Sequence, residues 1–311
     1  MSHTYLFPGQ GSQSVGMLAE LASEYPEVSQ TFEQGSEILK QDLWALVSEG
    51  PAEELNRTEN TQPIMLCSSV AVWKIWTKQF TKPPANMAGH SFGEYTALVC
   101  SGALDFDAVV PLARFRGEVM QQAVPEGKGA MAAVLGLDND KLAGVCADTS
   151  QGEIVEAVNF NAPGQVVIAG DSAAVARAID AAKEAGAKRA VTLPLSVPSH
   201  SSLMQPAAEK LREYLNGLTF NATDINVIHN ADAKVHISED DIKNALYLQL
   251  FNPVRWVESI QYIIGQGTQK FVELGPGKVL AGLGKRIDKS VPCYGVHDLK
   301  SLELALEKVS E

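Results

Sequence analysis

Residues 129–194 show a rhythm of six short segments that restricts the fold more than any other part of the chain. The segments alternate as strand, helix, strand, strand, helix and strand, with a Pro-Gly turn between the two middle strands. The predicted strands are Ala130–Leu135, Ile154–Asn159, Gln165–Ala169 and Arg189–Leu193, and the predicted helices are Asp138–Asp148 and Ser172–Ala185. This β-α-β-β-α-β order predicts a small ferredoxin-like domain.

Strands alternate with helices in the rest of the chain, which predicts an α/β fold with a mostly parallel sheet covered by helices. The predicted strands are Thr4–Phe7, Asn86–Ala88, Lys270–Leu274 and Cys293–Val296, and the predicted helices are Pro63–Phe80, Ser91–Ser101, Phe106–Gln122, Ser202–Leu215, Glu239–Leu250, Val254–Gly265, Lys278–Ile287 and Asp298–Val309. We therefore predict a large α/β domain of residues 1–127 and 196–311, interrupted by a small domain of residues 128–195. Active sites commonly form in the cleft between two such bodies.

Charge and apolar patterning exclude several classes of function. The chain has 25 Lys and Arg against 37 Asp and Glu, a net charge of −12, which argues against nucleic acid as a partner. Met1–Phe7 does not resemble a signal peptide, and the apolar stretch Ile64–Trp76 is too short and too mixed to span a bilayer. We expect a cytoplasmic protein that does not bind membranes. The four cysteines lie far apart in sequence, which predicts reduced thiols and no metal site.

The pentapeptide Gly89-His90-Ser91-Phe92-Gly93 matches the G-x-S-x-G pattern of a nucleophile elbow. The small flanking residues allow a sharp strand-to-helix turn that exposes a serine hydroxyl. A predicted strand precedes the pattern and a predicted helix follows it. The turn also places Ser91 at a helix N-terminus, where backbone N–H groups stabilise a developing oxyanion. We therefore predict that Ser91 is a nucleophile.

A serine nucleophile needs a base within hydrogen-bond reach. Of the six histidines, His200 is the first candidate, because it lies in a loop between the predicted small domain and a helix. His229 is the second candidate. No Asp or Glu stands out as the residue that would orient the base, so the residues alone do not supply a complete triad.

Two other features leave their roles open at this stage. The loop Gly9-Gln10-Gly11 follows a predicted strand, but Ser14 stands where a dinucleotide-binding fingerprint needs glycine, so we interpret it as a tight turn whose N–H groups could complete an oxyanion hole. Arg114 and Arg116 lie two positions apart on one predicted helix and cannot share a face. At most one of them enters a pocket, where it would favour an acidic substrate.

Six motifs in one order cover nearly the whole chain and resemble the malonyl-CoA:acyl carrier protein transacylases of bacterial fatty acid synthesis. They are Phe7-Pro8-Gly9-Gln10-Gly11-Ser12-Gln13, Gly89-His90-Ser91-Phe92-Gly93-Glu94-Tyr95, Arg116–Met120, Asn159-Phe160-Asn161-Ala162-Pro163-Gly164-Gln165, Pro198-Ser199-His200 and Gly275-Pro276-Gly277. The resemblance implies an α/β-hydrolase-like large domain with a ferredoxin-like insert. It also implies transfer of malonyl from malonyl-CoA to the phosphopantetheine thiol of an acyl carrier protein by a ping-pong mechanism.

The resemblance assigns roles to particular residues of this sequence. Ser91 is the implied nucleophile and His200 the implied base, and the N–H groups of Gln10 and Phe92 form the implied oxyanion hole. Arg116 is expected to pair with the free malonyl carboxylate, and Gln249 to orient His200 through its main-chain carbonyl. The other residues implied to bind substrate are Met120, Asn159 and Asn161. No cofactor is implied, and we expect a monomer whose carrier protein binds transiently. Phe92 stands where the family often has leucine, which leaves the role of its N–H unchanged.

An acidic carrier protein would need a local basic patch on this acidic chain. One candidate patch consists of Lys278, Lys285 and Arg286, and a second consists of Lys183, Lys188 and Arg189. The alternative interpretation, which the sequence favours, is that both groups are solvated surface charges.

Three other functions stay open from the sequence. A thioesterase or other serine hydrolase would use the same Ser91 and His200, although Arg116 and the missing triad acid argue against it. A stand-alone acyltransferase of polyketide assembly would differ in its carrier and extender unit, and Ser199 does not exclude methylmalonyl. A non-catalytic scaffold that binds the carrier protein is the third.

Overall fold

The computed structural model describes residues 2–195 and 197–311. Met1 and Ser196, where two of the predicted domain boundaries fall, lie outside the described residues. The strands are β1 (His3–Phe7), β2 (Asn86–Gly89), β3 (Gly129–Leu135), β4 (Val155–Ala162), β5 (Gln165–Asp171), β6 (Arg189–Thr192), β7 (Asn226–Ile228), β8 (Lys270–Leu274) and β9 (Cys293–Val296).

The helices surround these strands. They are α1 (Ala19–Glu24), α2 (Pro26–Leu39), α3 (Leu43–Ser48), α4 (Ala52–Asn56), α5 (Thr58–Gln79), α6 (Gly93–Cys100), α7 (Phe106–Ala123), α8 (Asn139–Ser150), α9 (Ser172–Glu184), α10 (Gln205–Asn216), α11 (Glu239–Gln249), α12 (Trp256–Gly265), α13 (Val279–Ile287) and α14 (Leu299–Ser310), with a 3₁₀ turn at Ser202–Met204.

A five-stranded parallel sheet with the order β7-β2-β1-β8-β9 forms the larger layer. Every residue of the central strand β1 is buried, as expected for a parallel strand covered by helices on both faces. Because the strands are parallel, the loops that follow β1, β2, β7 and β8 leave the sheet at one edge. Those loops carry Gln10, Ser91, Asn230 and Gly275. The mostly parallel sheet predicted from the sequence is confirmed.

The long helix α5 runs through the core of this layer, and most of its residues are buried. The sequence predicted that it starts at Pro63, and this prediction is wrong, because the helix begins five residues earlier at Thr58. Pro63 therefore lies in the second turn, where it cannot donate a backbone hydrogen bond. Thr58 and Gln62 in this first stretch are buried, and Gln62 Nε2 donates to Thr58 Oγ1 at 3.0 Å.

A separate four-stranded antiparallel sheet has the order β4-β5-β3-β6. Helices α8 and α9 pack on it and share an apolar core with it that includes Val134, Ile168, Val175 and Ile179. The strands and helices of this segment follow the chain in the predicted order. A separate antiparallel sheet within the predicted small segment is thus confirmed.

Strand β4 also connects the antiparallel sheet to the rest of the chain through hydrogen bonds to Val254 and Ser202. The Phe160 N–H donates to the Val254 carbonyl at 3.0 Å, and the Val254 N–H donates to the Val158 carbonyl at 2.8 Å. The Glu156 carboxylate accepts both the backbone N–H and the hydroxyl of Ser202, each at 2.8 Å. These bonds tie the antiparallel sheet to the segment that follows His200.

Two kinds of feature are missing from the part of the chain that the structure describes. No helix in residues 2–195 or 197–311 is long and apolar enough to cross a membrane. In the same residues no group of three or more His, Cys, Asp and Glu side chains is arranged so that it could bind a metal ion.

Candidate active site

Ser91 occupies a sharp turn between β2 and α6, and its backbone has a left-handed φ of 52°. The turn closes only because its flanking glycines have no side chain. A Cβ atom on Gly89 would lie 1.8 Å from the carbonyl carbon of Gly93, and one on Gly93 would lie 2.1 Å from the carbonyl oxygen of Phe7. The backbone of β1 therefore touches the elbow directly, and a side chain at either position would displace it.

The structure brings the Ser91 hydroxyl to the imidazole of His200. The distance between Ser91 Oγ and His200 Nε2 is 2.7 Å. On the other side of the ring, His200 Nδ1 lies 2.7 Å from the main-chain carbonyl oxygen of Gln249. Because a carbonyl oxygen only accepts, Nδ1 carries the proton and Nε2 is left to accept the proton of the serine. The carbonyl thus sets the tautomer that a general base needs.

The surroundings of His200 keep its ring neutral. The side chain is buried, and burial is the main cause that lowers its pKa to about 3, with the positive charge of Arg116 adding to the shift. His229, the second candidate base, is also buried but donates to Glu94 Oε1 at 2.8 Å, away from the Ser91 hydroxyl. His90 binds Asn161 Oδ1 through Nε2 at 2.7 Å.

Arg116 is the arginine that enters the site. Its side chain is 1% exposed, with Nη1 donating to Gln62 Oε1 at 2.9 Å and Nη2 donating to Gln249 Oε1 at 3.1 Å. Within residues 2–195 and 197–311, no carboxylate lies within 4.0 Å of the guanidinium. Arg114 instead donates to Asn60 and Gln41 on another side of the helix. A buried guanidinium that makes no direct contact with a carboxylate of the described residues, close to the Ser91–His200 pair, is suited to an anionic substrate group.

Two backbone N–H groups beside Ser91 are free to bind an oxyanion. In the described part of the chain, no hydrogen bond uses the N–H of Gln10 or that of Phe92. The loop that carries Gln10 lies against the elbow, because a Cβ atom on Gly9 would lie 2.4 Å from the His90 carbonyl oxygen. The Gln10 side chain accepts a hydrogen bond from Thr58 at 3.0 Å, which fixes the loop from its far side.

Three polar residues of the site were not singled out from the sequence. Asn230 accepts the Ser91 N–H at 2.7 Å and donates to the Gly89 carbonyl at 2.7 Å, so it holds both arms of the elbow. Gln62 and Glu94 contact Arg116 and Gln249, respectively. Asn230 lies 139 positions from Ser91, and no local pattern marks it. Glu94 could have been identified from the sequence, because it is an acidic residue one helical turn after Ser91 in the same motif.

Two cavities adjoin each other near the elbow, and His90 lines the smaller of them. One of about 640 Å³ and one of about 430 Å³ share Gln10, Asn56, Pro194 and Leu195 in their linings, so they lie between the two sheets. Of the residues expected to bind substrate, Asn159 and Asn161 line the smaller cavity. The buried Oδ1 of Asn159 has no hydrogen-bond partner in the described residues.

Met120 is buried, and Gln62 contacts both Met120 and Arg116. The Met120 sulfur accepts a hydrogen bond from Gln62 Nε2 at 3.5 Å.

The predicted basic patches lie on the surface. Lys278 precedes α13, and Lys285 and Arg286 lie in its last turn; Arg286 donates to Gln165. In the second group, Lys183 pairs with Asp180, and the stem of Lys188 lies over Gly136. Arg189, the third member, is exposed.

Comparison with known proteins decides the family. The model of the acyl transferase domain matches residues 4–305. The chain belongs to this acyl transferase family. Among its relatives, the malonyl CoA-acyl carrier protein transacylase of Escherichia coli K12 is 52% identical over 97% of this chain and 98% of its own length. The protein of the same name from Bacillus subtilis is 46% identical over 99% of this chain and 97% of its own length.

Solved structures of the family have the same fold as this acyl transferase. The malonyl CoA-acyl carrier protein transacylase of Coxiella burnetii superposes with a TM-score of 0.98 at 45% identity and covers 100% of this chain and 98% of its own. A malonyl-transacylase solved in complex with a type II polyketide acyl carrier protein has a TM-score of 0.97 at 52% identity. It covers 99% of this chain and 100% of its own.

Proposed function

We propose that this chain transfers a malonyl group from malonyl-CoA to the phosphopantetheine thiol of an acyl carrier protein, as in fatty acid synthesis. The proposal depends on one observation above all. Ser91 Oγ lies 2.7 Å from His200 Nε2, beside a buried Arg116 guanidinium that lacks a carboxylate partner among the described residues. The names of the relatives, at 46% to 52% identity, support the same activity.

In the first half-reaction, His200 Nε2 takes the proton of the Ser91 hydroxyl as its oxygen attacks the thioester carbonyl of malonyl-CoA. The negative charge that develops on the carbonyl oxygen is bound by the N–H groups of Gln10 and Phe92. The carbon–sulfur bond then breaks, and the proton on His200 passes to the departing coenzyme A thiolate. A malonyl ester of Ser91 remains.

In the second half-reaction, the thiol of the carrier's phosphopantetheine arm gives its proton to His200 and attacks the ester carbonyl. The bond between the carbonyl carbon and Ser91 Oγ breaks, and His200 returns the proton to the serine. Arg116 holds the free carboxylate of the malonyl group throughout. Asn159 and Asn161, in the lining of the smaller cavity, are suited to binding the amides of the pantetheine arm.

Mass spectrometry of the intact protein tests this proposal. After mixing with malonyl-CoA, we expect one added malonyl group, mapped by proteolysis to Ser91 and missing in Ser91→Ala. Added carrier protein should remove the group and acquire it, whereas buffer alone should leave it in place. Absence of the adduct would contradict the proposal, and rapid loss to water would favour a thioesterase.

One observation favours a polyketide carrier as a second candidate acceptor. The neighbour at a TM-score of 0.97 was solved with a type II polyketide acyl carrier protein. Transfer rates from malonyl-Ser91 to carriers of both kinds would separate the two pathways. A faster rate to the polyketide carrier would replace fatty acid synthesis as the assigned pathway.

We also propose the finer fold assignments made from the sequence. The order β4-β5-β3-β6 with two helices on the sheet supports a ferredoxin-like insert at residues 128–195. The parallel sheet and the elbow after β2 support an α/β-hydrolase-like domain at residues 1–127 and 196–311. A cytoplasmic monomer without a cofactor belongs to the same proposal, as does carrier docking on Lys278, Lys285 and Arg286.

A further inference from the structure

Glu94 is a fully buried carboxylate with no part in the transfer reaction described above. It lies on α6, one helical turn after Ser91, and is 0% exposed. Three donors bind its two oxygens, each at 2.8 Å: His229 Nδ1, the Asn230 backbone N–H and Gln249 Nε2. A buried charge is costly even when it is paired, so its position beside the reacting serine calls for an explanation.

The Gln249 side chain can adopt only one amide orientation in this environment. Its Nε2 donates to Glu94 Oε2 at 2.8 Å and to the Ser91 carbonyl at 2.9 Å, and both partners can only accept. Its Oε1 therefore faces the Arg116 Nη2 at 3.1 Å, and a guanidinium can only donate. If the amide were reversed, two N–H groups would oppose each other at Arg116 and an oxygen would oppose the Glu94 carboxylate.

We propose that Glu94 is a positioning residue that fixes the Gln249 amide and thereby aims the Arg116 guanidinium at the acid group of the acyl substrate. This inference rests on the proposed malonyl transfer. It gives the buried carboxylate a role in selecting acidic over neutral acyl groups. The two parts of Gln249 thus have different roles. Its main-chain carbonyl orients His200, whereas its side chain contributes to selection of the acyl group.

The change Glu94→Met distinguishes this role from a purely structural one. Methionine has nearly the same length as glutamate but offers no carboxylate oxygen, so Gln249 Nε2 keeps only the Ser91 carbonyl as its acceptor. The Gln249 amide is then held less firmly, and so is the Arg116 guanidinium that donates to it. If only the loss of the negative charge mattered, the preference for malonyl over neutral acyl groups would instead increase, because a nearby anion would no longer compete with the malonyl carboxylate for Arg116.

The experiment compares malonyl-CoA with acetyl-CoA as donors of the acyl group on Ser91, by single-turnover mass spectrometry. The wild-type protein should prefer malonyl. We expect Glu94→Met to narrow this preference by about 10- to 100-fold, mainly through slower malonyl transfer, with acetyl transfer little changed. Glu273→Met is the matched control, since Glu273 is also 0% exposed but binds backbone N–H groups of α13, and it should keep the full preference.

A second variant keeps the proposal testable if Glu94→Met does not fold. Gln249→Met leaves the main-chain carbonyl for His200 and leaves Glu94 with two donors, and it should narrow the preference to a similar extent. An unchanged or increased preference in either folded variant, or an equal loss for both donors, would overturn the role of Glu94. A wild-type protein that forms no malonyl-Ser91 would instead refute the proposed function itself.

Discussion

At the residue scale, the main-chain carbonyl of Gln249 occupies the position that an acidic side chain holds in a Ser-His-Asp triad. A carbonyl dipole fixes the tautomer of His200 but gives a protonated imidazole less stabilisation than a carboxylate would. The positive charge of Arg116 raises the cost of that protonation further. When a malonyl carboxylate pairs with Arg116, this second cost falls, so an acidic substrate would assist the base that activates the serine.

The first prediction at this scale concerns selection by Arg116. Arg116→Ala should lose malonyl transfer and narrow the preference for malonyl over acetyl by a factor of about 30 to several thousand, since leaving one member of a buried charge pair alone costs about 2–5 kcal/mol. Steady-state kcat/KM values for both donors measure the effect. Arg114→Ala, on the same helix but bound to Asn60 and Gln41, is the control and should keep the preference. A variant at 116 that still prefers malonyl would refute the assignment.

The second prediction is a pH dependence with a defined sign. In the proposed mechanism the neutral ring of His200 is the active form, and burial together with the charge of Arg116 lowers its pKa to about 3. Removing Arg116 removes the smaller cause, so the pKa should rise part of the way toward the ordinary 6.5. The acid limb of acetyl transfer in Arg116→Ala should therefore lie at higher pH than in the wild type. Rapid-quench rates across the acidic and neutral pH range test it, and coincident acid limbs would refute it.

At the element scale, the elbow depends on three backbone segments that touch without intervening side chains. Strand β1, strand β2 and the start of α6 meet at Gly89 and Gly93, where Cβ atoms would contact backbone rather than flexible side-chain ends. Backbone contacts of this kind cannot relax by a change of rotamer. The position of Ser91 is therefore set by the sheet itself, and Asn230 on the loop after β7 secures it from the other side.

A pair of glycine substitutions tests this packing. Gly93→Ala should destabilise the protein by about 1–3 kcal/mol or more and abolish acylation of Ser91, because the new methyl group would lie 2.1 Å from the Phe7 carbonyl oxygen. Gly144→Ala is the control. It lies in α8, where a Cβ atom would meet no neighbouring atom within 4 Å, and it should stabilise the helix by about 0.5–1 kcal/mol. Denaturant unfolding measures both, and equal effects would contradict the steric argument.

At the scale of the whole molecule, the reaction centre combines residues from widely separated parts of the chain. Ser91 and Gln10 follow neighbouring strands of the parallel sheet, whereas His200 follows the antiparallel sheet and lies two residues before Ser202. The Glu156 carboxylate of β4 binds Ser202 through both of its oxygens. The smaller sheet thus supports the loop that carries the base.

The contact between Glu156 and Ser202 yields the prediction at this scale. Glu156→Ala should slow acylation of Ser91 and increase hydrogen exchange around residues 199–203, since each lost bond to a charged group is worth about 1.5–3 kcal/mol. Glu153→Ala, which removes a surface ion pair with Arg177 in the same segment, should change neither readout. Unaltered exchange in Glu156→Ala would show that the loop is held by other contacts.

The sequence predicted the order of elements well where periodicity and turn residues are strong. The antiparallel segment, β1, β8 and β9 lie where expected, and the elbow pattern marked Ser91. The helices α1–α4 and the three-residue strand β7 were not predicted. Helices α1, α3 and α4 have only five or six residues, and such short elements depend on packing against their neighbours rather than on their own pattern. The 14-residue helix α2 was missed although its length is ordinary.

The polar network of the site could not be read from the sequence for a related reason. Arg116, Gln62 and Gln249 are joined by hydrogen bonds across 54 and 133 positions, so their meeting depends on the complete fold. Spacing along α7 showed only that Arg114 and Arg116 face different ways. Arg116 is the buried one because Gln62 on α5 and Gln249 on α11 bind its guanidinium.

Ser91 and His200 share an unusual backbone: both are non-glycine residues at positive φ, 52° and 66°. Each such conformation costs about 1–3 kcal/mol, which is a sizeable part of the net stability of an ordinary domain. A related protein that still bound the carrier protein but no longer catalysed the transfer would be stabilised by glycine at either position. The serine and the histidine therefore place their reactive groups at a cost to the stability of the fold.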